Sequence, residues 1–220
     1  MVYGVSDERA AELLDAVYSA ILTRGAPRIV TDFATAELVK TAANAFLATK
    51  ISFINAMAEI AEVTGADVTT LADAIGHDAR IGRRFLNAGI GFGGGCLPKD
   101  IRAFTARAEE IGRAESVAFL RQVDAINLRR RERVVDLALE LLGGSVFERR
   151  IAVLGLTFKP NSDDVRDSPA SMSPSASTGS VQPSSRPTPR ASRTRGRGIR
   201  SSRMRRMPLT RFAAPNSPSW

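Results

Sequence analysis

Thirty-one residues from Thr35 to Gly65, TAELVKTAANAFLATKISFINAMAEIAEVTG, repeat apolar side chains at i, i+3 and i+4 without a single proline. A pattern kept up for about eight turns predicts one continuous helix of roughly 45 Å. A rod of that length is as long as a small domain is wide, so it must run through a core or along an interface with a second copy. Shorter elements can only be arranged around it. Upstream, MVYGV is a short apolar run, SDERAAELLDAVYSAILTRG carries Leu13, Leu14, Val17, Ile21 and Leu22 at helical spacing, and PRIVTDF reads as a strand. That order predicts a β-α-β unit that opens abruptly in a strand at residue 2, and a sheet needs more than two strands. The chain is therefore expected to be cut at its N-terminus.

Downstream, DVTTLADAIGHD predicts a short helix with a Thr/Asp start. The stretch GIGFGGGCLPKD, Gly89 to Asp100, follows, with five glycines in seven positions and the only cysteine of the chain. Pro98 suits the first turn of a helix, and PKDIRAFTARAEEI puts Ile101, Phe104, Ala108 and Ile111 on one face. The Cys96 thiol thus falls at a helix N-terminus, where free N–H groups and the dipole favour a thiolate and Lys99 adds a cation. A lone cysteine is more often a small buried hydrophobe. Five glycines are an expensive way to bury a thiol, however, and bare backbone leaves room for a ligand.

A further long helix is expected over Ser116 to Gly144, its polar middle from Asn127 to Arg133 reading as a solvent-spanning connector. Ile151 to Leu154 then reads as a buried strand that opens a new α/β unit and runs into the loop carrying Gly155, Lys159 and Pro160. GLTFKP lacks the glycines of a dinucleotide fingerprint, and no GxGxxG stands in strand-turn-helix context. From Ser171 the chain turns to Ser, Pro and Arg without periodicity and is expected to be disordered. Such text is what a GC-rich gene yields out of frame, so a shifted reading frame near residue 171 is the expectation there.

Charge follows the same division. The chain carries +8, but ten of its arginines and none of its acidic residues lie beyond residue 170, which leaves residues 1–170 at −2. Attraction to nucleic acid would be nonspecific and confined to the tail. One Cys and one His exclude an internal disulfide and a zinc site, and His77 reads as a solvated loop residue. No apolar run is long enough for a bilayer and no signal peptide is evident, so the expected location is cytoplasmic and no membrane partner is expected.

On the long helix Lys40 and Asn44 stand one turn apart on a face continued by Leu47, Ile51 and Ile54. A lysine snorkelling at the edge of a core explains that equally well. Taken together, ELVKTAANAFLATKISFIN, GFGGGCLPKD and GLTFKPNSDDVRDSP resemble the UDP-glucose 6-dehydrogenase family of nucleotide-sugar dehydrogenases, in order and over residues 1–170.

The resemblance implies an α/β fold, mostly helical here. It would comprise the end of an NAD-binding Rossmann domain over 1–34 and a central helical dimerisation domain over 35–130. A connector helix and the first strand of a second, UDP-binding Rossmann-like domain would fill 131–170, before the basic tail 171–220. It implies oxidation of the C6 alcohol of UDP-glucose to a carboxylate at the expense of two NAD⁺, through a thiohemiacetal and a thioester on Cys96. Lys40 and Asn44 match the residues that stabilise the oxyanion. Asp100 matches a carboxylate that helps activate water, although an acid in the first turn of a helix is favoured by the dipole alone. Phe85, Leu86, Gly89, Phe92 and Gly93 match the loop along the substrate, and Lys159 matches a substrate-contacting lysine. Arg80 matches an arginine reaching the neighbouring subunit's site in a homodimer built on the long helix, and Lys99 and Arg166 match the cofactor side.

The family's GxGxxG domain and a further catalytic Glu are absent, so the chain alone is expected neither to hold NAD⁺ firmly nor to turn over. Two alternatives stand beside this reading. One is a sister enzyme acting on GDP-mannose or an N-acetylated UDP-sugar, and the other is a dimerising remnant without catalysis.

Overall fold

The computed structural model describes residues 1–171, and the tail with its expected disorder, frame shift and nucleic-acid affinity lies outside them. Two short strands, β1 (Val2–Gly4) and β2 (Ile29–Thr31), pair in parallel with Val2 opposite Ile29 and Gly4 opposite Thr31. The crossover between them is helical but not continuous. It divides at Tyr18 into α1 (Glu8–Val17) and α2 (Ser19–Leu22), and the Tyr18 ring stacks on Tyr3 at 6.2 Å.

The expected rod is present as α3 (Phe33–Thr64), 32 residues long. Asp32 starts it by accepting from the Thr35 N–H at 2.8 Å, and Gly65 ends it in the left-handed conformation that suits a residue without Cβ. Asp7 and Asp67 cap α1 and α4 (Val68–Gly76) in the same way, through Ala10 and Thr70. The buried face of α3 is small: Ala45, Ala48, Ser52, Ala58 and Ala61 let other helices come close. Those helices are α5 (Leu97–Glu110) and α6 (Phe119–Leu141), the latter preceded by a 3₁₀ turn, Ala114–Val117.

Two apolar clusters result. In one, Ala45 and Ala48 meet Phe92, Ile101, Ala108, Val117, Leu120 and Val123. In the other, Ile54 meets Ala72 and Leu86. Ile111, expected on the α5 core face, sits at the helix C-cap and is exposed. The opposite side of α3 leaves Val39, Phe46, Phe53 and Ile60 exposed at seven-residue spacing, Phe46 to 66%. Among the described residues no helix is long and apolar enough to cross a membrane.

Two expectations are corrected. Ile151–Leu154 form no strand, and Leu154 is 89% exposed. A strand is held by its ladder, and among the described residues no partner strand lies beside this run. The polar middle of α6 is not a connector in solvent. Asn127 and Arg131 are buried, while Arg129 and Arg130 pair with Glu59 and Glu62 at 2.9 and 3.2 Å and bind α6 to α3.

Ile54, wholly buried between α3 and α4, sets the scale of this packing. Ile54→Ala is expected to lower the unfolding free energy by about 2–5 kcal/mol in urea titrations, whereas Val63→Ala on the exposed face is expected to change it by less than about 1 kcal/mol.

Candidate functional site

The Gly-rich segment reaches α5 as an irregular loop, and Cys96 is the exposed N-cap residue of the helix. Its side chain makes no capping hydrogen bond. The first turn is tied by the Asp100 N–H, which donates to the Cys96 carbonyl at 2.8 Å. Leu97 and Pro98 occupy the first helical positions, so Asp100 stands one turn into α5 facing α3.

Four polar side chains converge there. Asn44 Nδ2 donates to Asp100 Oδ2 at 2.5 Å, Lys40 Nζ lies 3.6 Å from the same oxygen, and Lys99 Nζ lies 3.0 Å from Oδ1. The i, i+4 spacing on α3 therefore delivers a cation and an amide to one carboxylate from a helix 56 residues away in sequence. The Asp100 carboxyl titrates below its ordinary value, chiefly because Lys99 donates to it. Partial burial opposes the lowering, and Asn44 and the charge of Lys40 add to it. The result is an ionised carboxylate beside a thiol at the positive end of a helix.

The glycines are explained differently from the sequence reading. Space beside Gly93 is taken by the Asp167 carbonyl and Pro169, and the Phe158 ring would lie 2.7 Å from a Cβ on Gly94, which has φ +84°. The protein's own chain, rather than a ligand, packs on the bare backbone at these positions. The Gly94 N–H donates to the Arg166 carbonyl at 2.9 Å. The guanidinium of Arg166 lies against Gly95 and is aimed by a forked contact with Asp164, whose carboxyl it holds down at about 2.

The remaining residues divide. Lys159 is exposed over the Phe158 ring at 5.2 Å. Phe85 is half exposed and has φ +66°, an unusual conformation for an aromatic residue. Leu86 and Phe92 are core side chains, one in each cluster, and their backbone groups are taken up as well, Leu86 by Arg83 and Phe92 by Asn127 and Arg131. Gly89 is held through its N–H by Asn55 Oδ1 at 2.8 Å. Arg80 stands apart from the Asp100 cluster, folded onto Asp78 by a fork of 2.6–3.1 Å.

Sequence reading missed Asn127 and Arg131, which grip Phe92 from α6. Their signal was spacing: Leu120, Val123, Asn127 and Arg131 follow one another by three, four and four residues, so the buried stripe continues into polar residues.

Residues 34–129 match the family model described as UDP-glucose/GDP-mannose dehydrogenase family, central domain. The chain is 45% identical over 170 residues to the UDP-glucose 6-dehydrogenase of Rickettsia felis, covering 77% of this chain and 38% of that enzyme. It is 47% identical over 169 residues to UDP-glucose 6-dehydrogenase TuaD of Bacillus subtilis, covering 77% of this chain and 35% of that one. The fold is similar to that of a UDP-glucose dehydrogenase from Pyrobaculum islandicum, with a TM-score of 0.73, 44% identity, and 78% of this chain and 38% of that chain covered. The chain thus spans under two fifths of the length of these relatives.

The electrostatics of Asp100 have a measurable sign. Its folded value is depressed, so the stabilisation is present above the ordinary carboxylate value near about 4 and is lost as pH falls through the folded value. The native chain is expected to lose more stability than Asp100→Asn when denaturant titrations are taken from about pH 5 down to about pH 2.

Proposed function

Because its central segment makes this chain a member of the UDP-glucose/GDP-mannose dehydrogenase family, we propose that it serves NAD-dependent oxidation of UDP-glucose to UDP-glucuronate. The observation that carries the reading is the convergence of Lys40, Asn44 and Lys99 on Asp100, one turn from the Cys96 N-cap. Once a first hydride, passing to NAD⁺, and a proton have left the C6 alcohol, the exposed Cys96 sulfur, as thiolate, adds to the resulting aldehyde, forming a carbon–sulfur bond and leaving an oxyanion. Lys40 and Asn44 supply the fixed cation and amide donor that such an oxyanion requires. Loss of hydride from the adduct leaves a thioester. Water, its proton drawn toward Asp100, then breaks the carbon–sulfur bond and releases the carboxylate and the thiol.

NAD⁺ is the hydride acceptor of this chemistry. The described residues do not fit a pyrophosphate site: α1, the helix after β1, opens with the carboxylate of Asp7, where a glycine-rich turn would be needed. In this reading residues 1–34 belong to a dinucleotide-binding domain, 35–130 to the central domain, and 131–170 to the end of α6 and the start of a UDP-binding domain. Phe85, Gly89 and Lys159 border the sugar nucleotide with Leu86, Phe92 and Gly93 packed behind them, Lys99 and Arg166 lie toward the cofactor, and the whole works in the cytoplasm. The exposed stripe of Val39, Phe46, Phe53 and Ile60 supports a homodimer along α3, with Arg80 offered to the partner's site.

A chimera carrying residues 1–170 in place of the matching segment of the Bacillus subtilis relative tests the activity. It is expected to form NADH from UDP-glucose and to lose about a thousandfold or more in kcat with Cys96→Ser. A folded chimera that binds UDP-glucose yet forms no NADH would refute the reading, and preference for GDP-mannose or a UDP-N-acetyl sugar would move it to a sister activity. The dimer is read separately: Phe46→Glu with Phe53→Glu is expected to convert the native chain to a monomer in light scattering.

A further inference from the structure

Arg131 is only 3% exposed, in the middle of α6 and far from any helix end. A buried guanidinium is costly unless its donors are used, and here they join two separate segments. Nη2 donates to the Phe92 carbonyl at 2.9 Å, and Nη1 donates to Asp167 Oδ1 at 3.0 Å. One turn earlier Asn127 closes both sides of the same peptide position, accepting from the Phe92 N–H at 2.6 Å and donating to the Phe92 carbonyl at 3.1 Å. Phe92 and Asp167 flank the two contacts that matter at the thiol: Gly93 against the Asp167 carbonyl, and the Gly94 N–H on the Arg166 carbonyl. Arg166 is consequently delivered to Gly95, next to Cys96.

We propose that Arg131, braced by Asn127, is a positioning residue that locks the Cys96 loop to the segment around Asp167 and so holds Arg166 beside the thiol. The proposal rests on the reading of Cys96 as the nucleophile and extends it to a residue that touches neither thiol nor substrate. Segment 145–171 has no helix or strand of its own, so among the described residues its docking relies on contacts such as these. Charged groups gathered around this end of α5 are Lys99 and Asp100 on α5, Lys40 on α3, and Lys159, Asp164 and Arg166 on the docked segment. Arg166 has Cys96 itself among its electrostatic partners.

The single cysteine makes the test clean, because alkylation of the native chain by iodoacetamide reports one site. Rates are measured against pH at low ionic strength, with circular dichroism to verify folding. Asp167→Asn removes a negative charge, which by itself would favour the thiolate. Release of Arg166 acts in the opposite direction, so the profile is expected to move to higher pH, with a rate at neutral pH lowered about two- to threefold, modest because Arg166 is exposed. Arg131→Met and Arg131→Lys are expected to act alike, since an ammonium keeps the charge but loses the fork. Arg166→Gln, which carries no such opposing charge effect, is expected to give a shift at least as large, and adding Asp167→Asn to it is expected to raise the profile no further.

A profile unmoved or lowered by Asp167→Asn, an Arg131→Lys that behaves as the native chain, or shifts that add would each overturn the proposal. Asp167→Asn keeps it testable if the Arg131 variants fail to fold. Alkylation needs no substrate, so failure here leaves the proposed oxidation standing, and a chimera without turnover leaves this coupling standing.

Discussion

The buried face of α3 is built from four alanines and Ile54, and three polar side chains interrupt it. Asn44 reaches Asp100 on α5, the Ser52 hydroxyl donates to the Val123 carbonyl on α6 at 2.8 Å, and Asn55 holds the Gly89 N–H of the loop. Small neighbours bring α5 and α6 near enough for these short side chains to reach, and the bonds then forbid sliding. Apolar packing alone tolerates a shift of one helix along another, whereas a buried hydroxyl or amide left without its partner costs about 1–3 kcal/mol. The register of the whole arrangement, including the approach of Lys40 to the start of α5, follows from this one face.

What reaches that point is a charge arrangement of mixed sign. Two lysines and an amide surround one carboxylate, and the thiol stands at the end of a helix whose dipole also favours anions. The carboxylate is held ionised by its neighbours, so it can accept a proton from water without first giving one up. Lys40 is largely exposed, so under the proposed reading its ammonium is open to an incoming oxyanion.

The long helix and the start of α5 were legible because both are local matters: uninterrupted 3.6-residue periodicity for one, Pro98 after a glycine run for the other. The clustering of Lys40, Asn44 and Asp100 followed from family resemblance, since spacing alone allowed a snorkelling lysine. Asn127 and Arg131 were misread because polar residues inside a helix ordinarily face water, and the partners they find in the glycine loop and at Asp167 are distant in sequence. The same distance explains the glycines. Gly93 and Gly94 advertise a close approach, but sequence does not say whether a ligand or the chain itself will make it. Ile151–Leu154 were misread because a run of apolar residues specifies burial and not the ladder a strand needs.

Asp7, Asp32 and Asp67 each finish the start of their helix with a side chain, whereas Cys96 leaves the start of α5 without one. In the extended backbone that Asp7, Asp32 and Asp67 share, a capping oxygen contributes about 1 kcal/mol, and residue 96, now at φ −111° and ψ −68°, would have to move toward it to gain as much. The thiol is therefore kept against a standing pressure from stability, which an aspartate or serine would relieve. If the chemistry proposed for this helix were no longer selected, an oxygen at position 96 would trade a reactive thiol for a better-capped, inert protein.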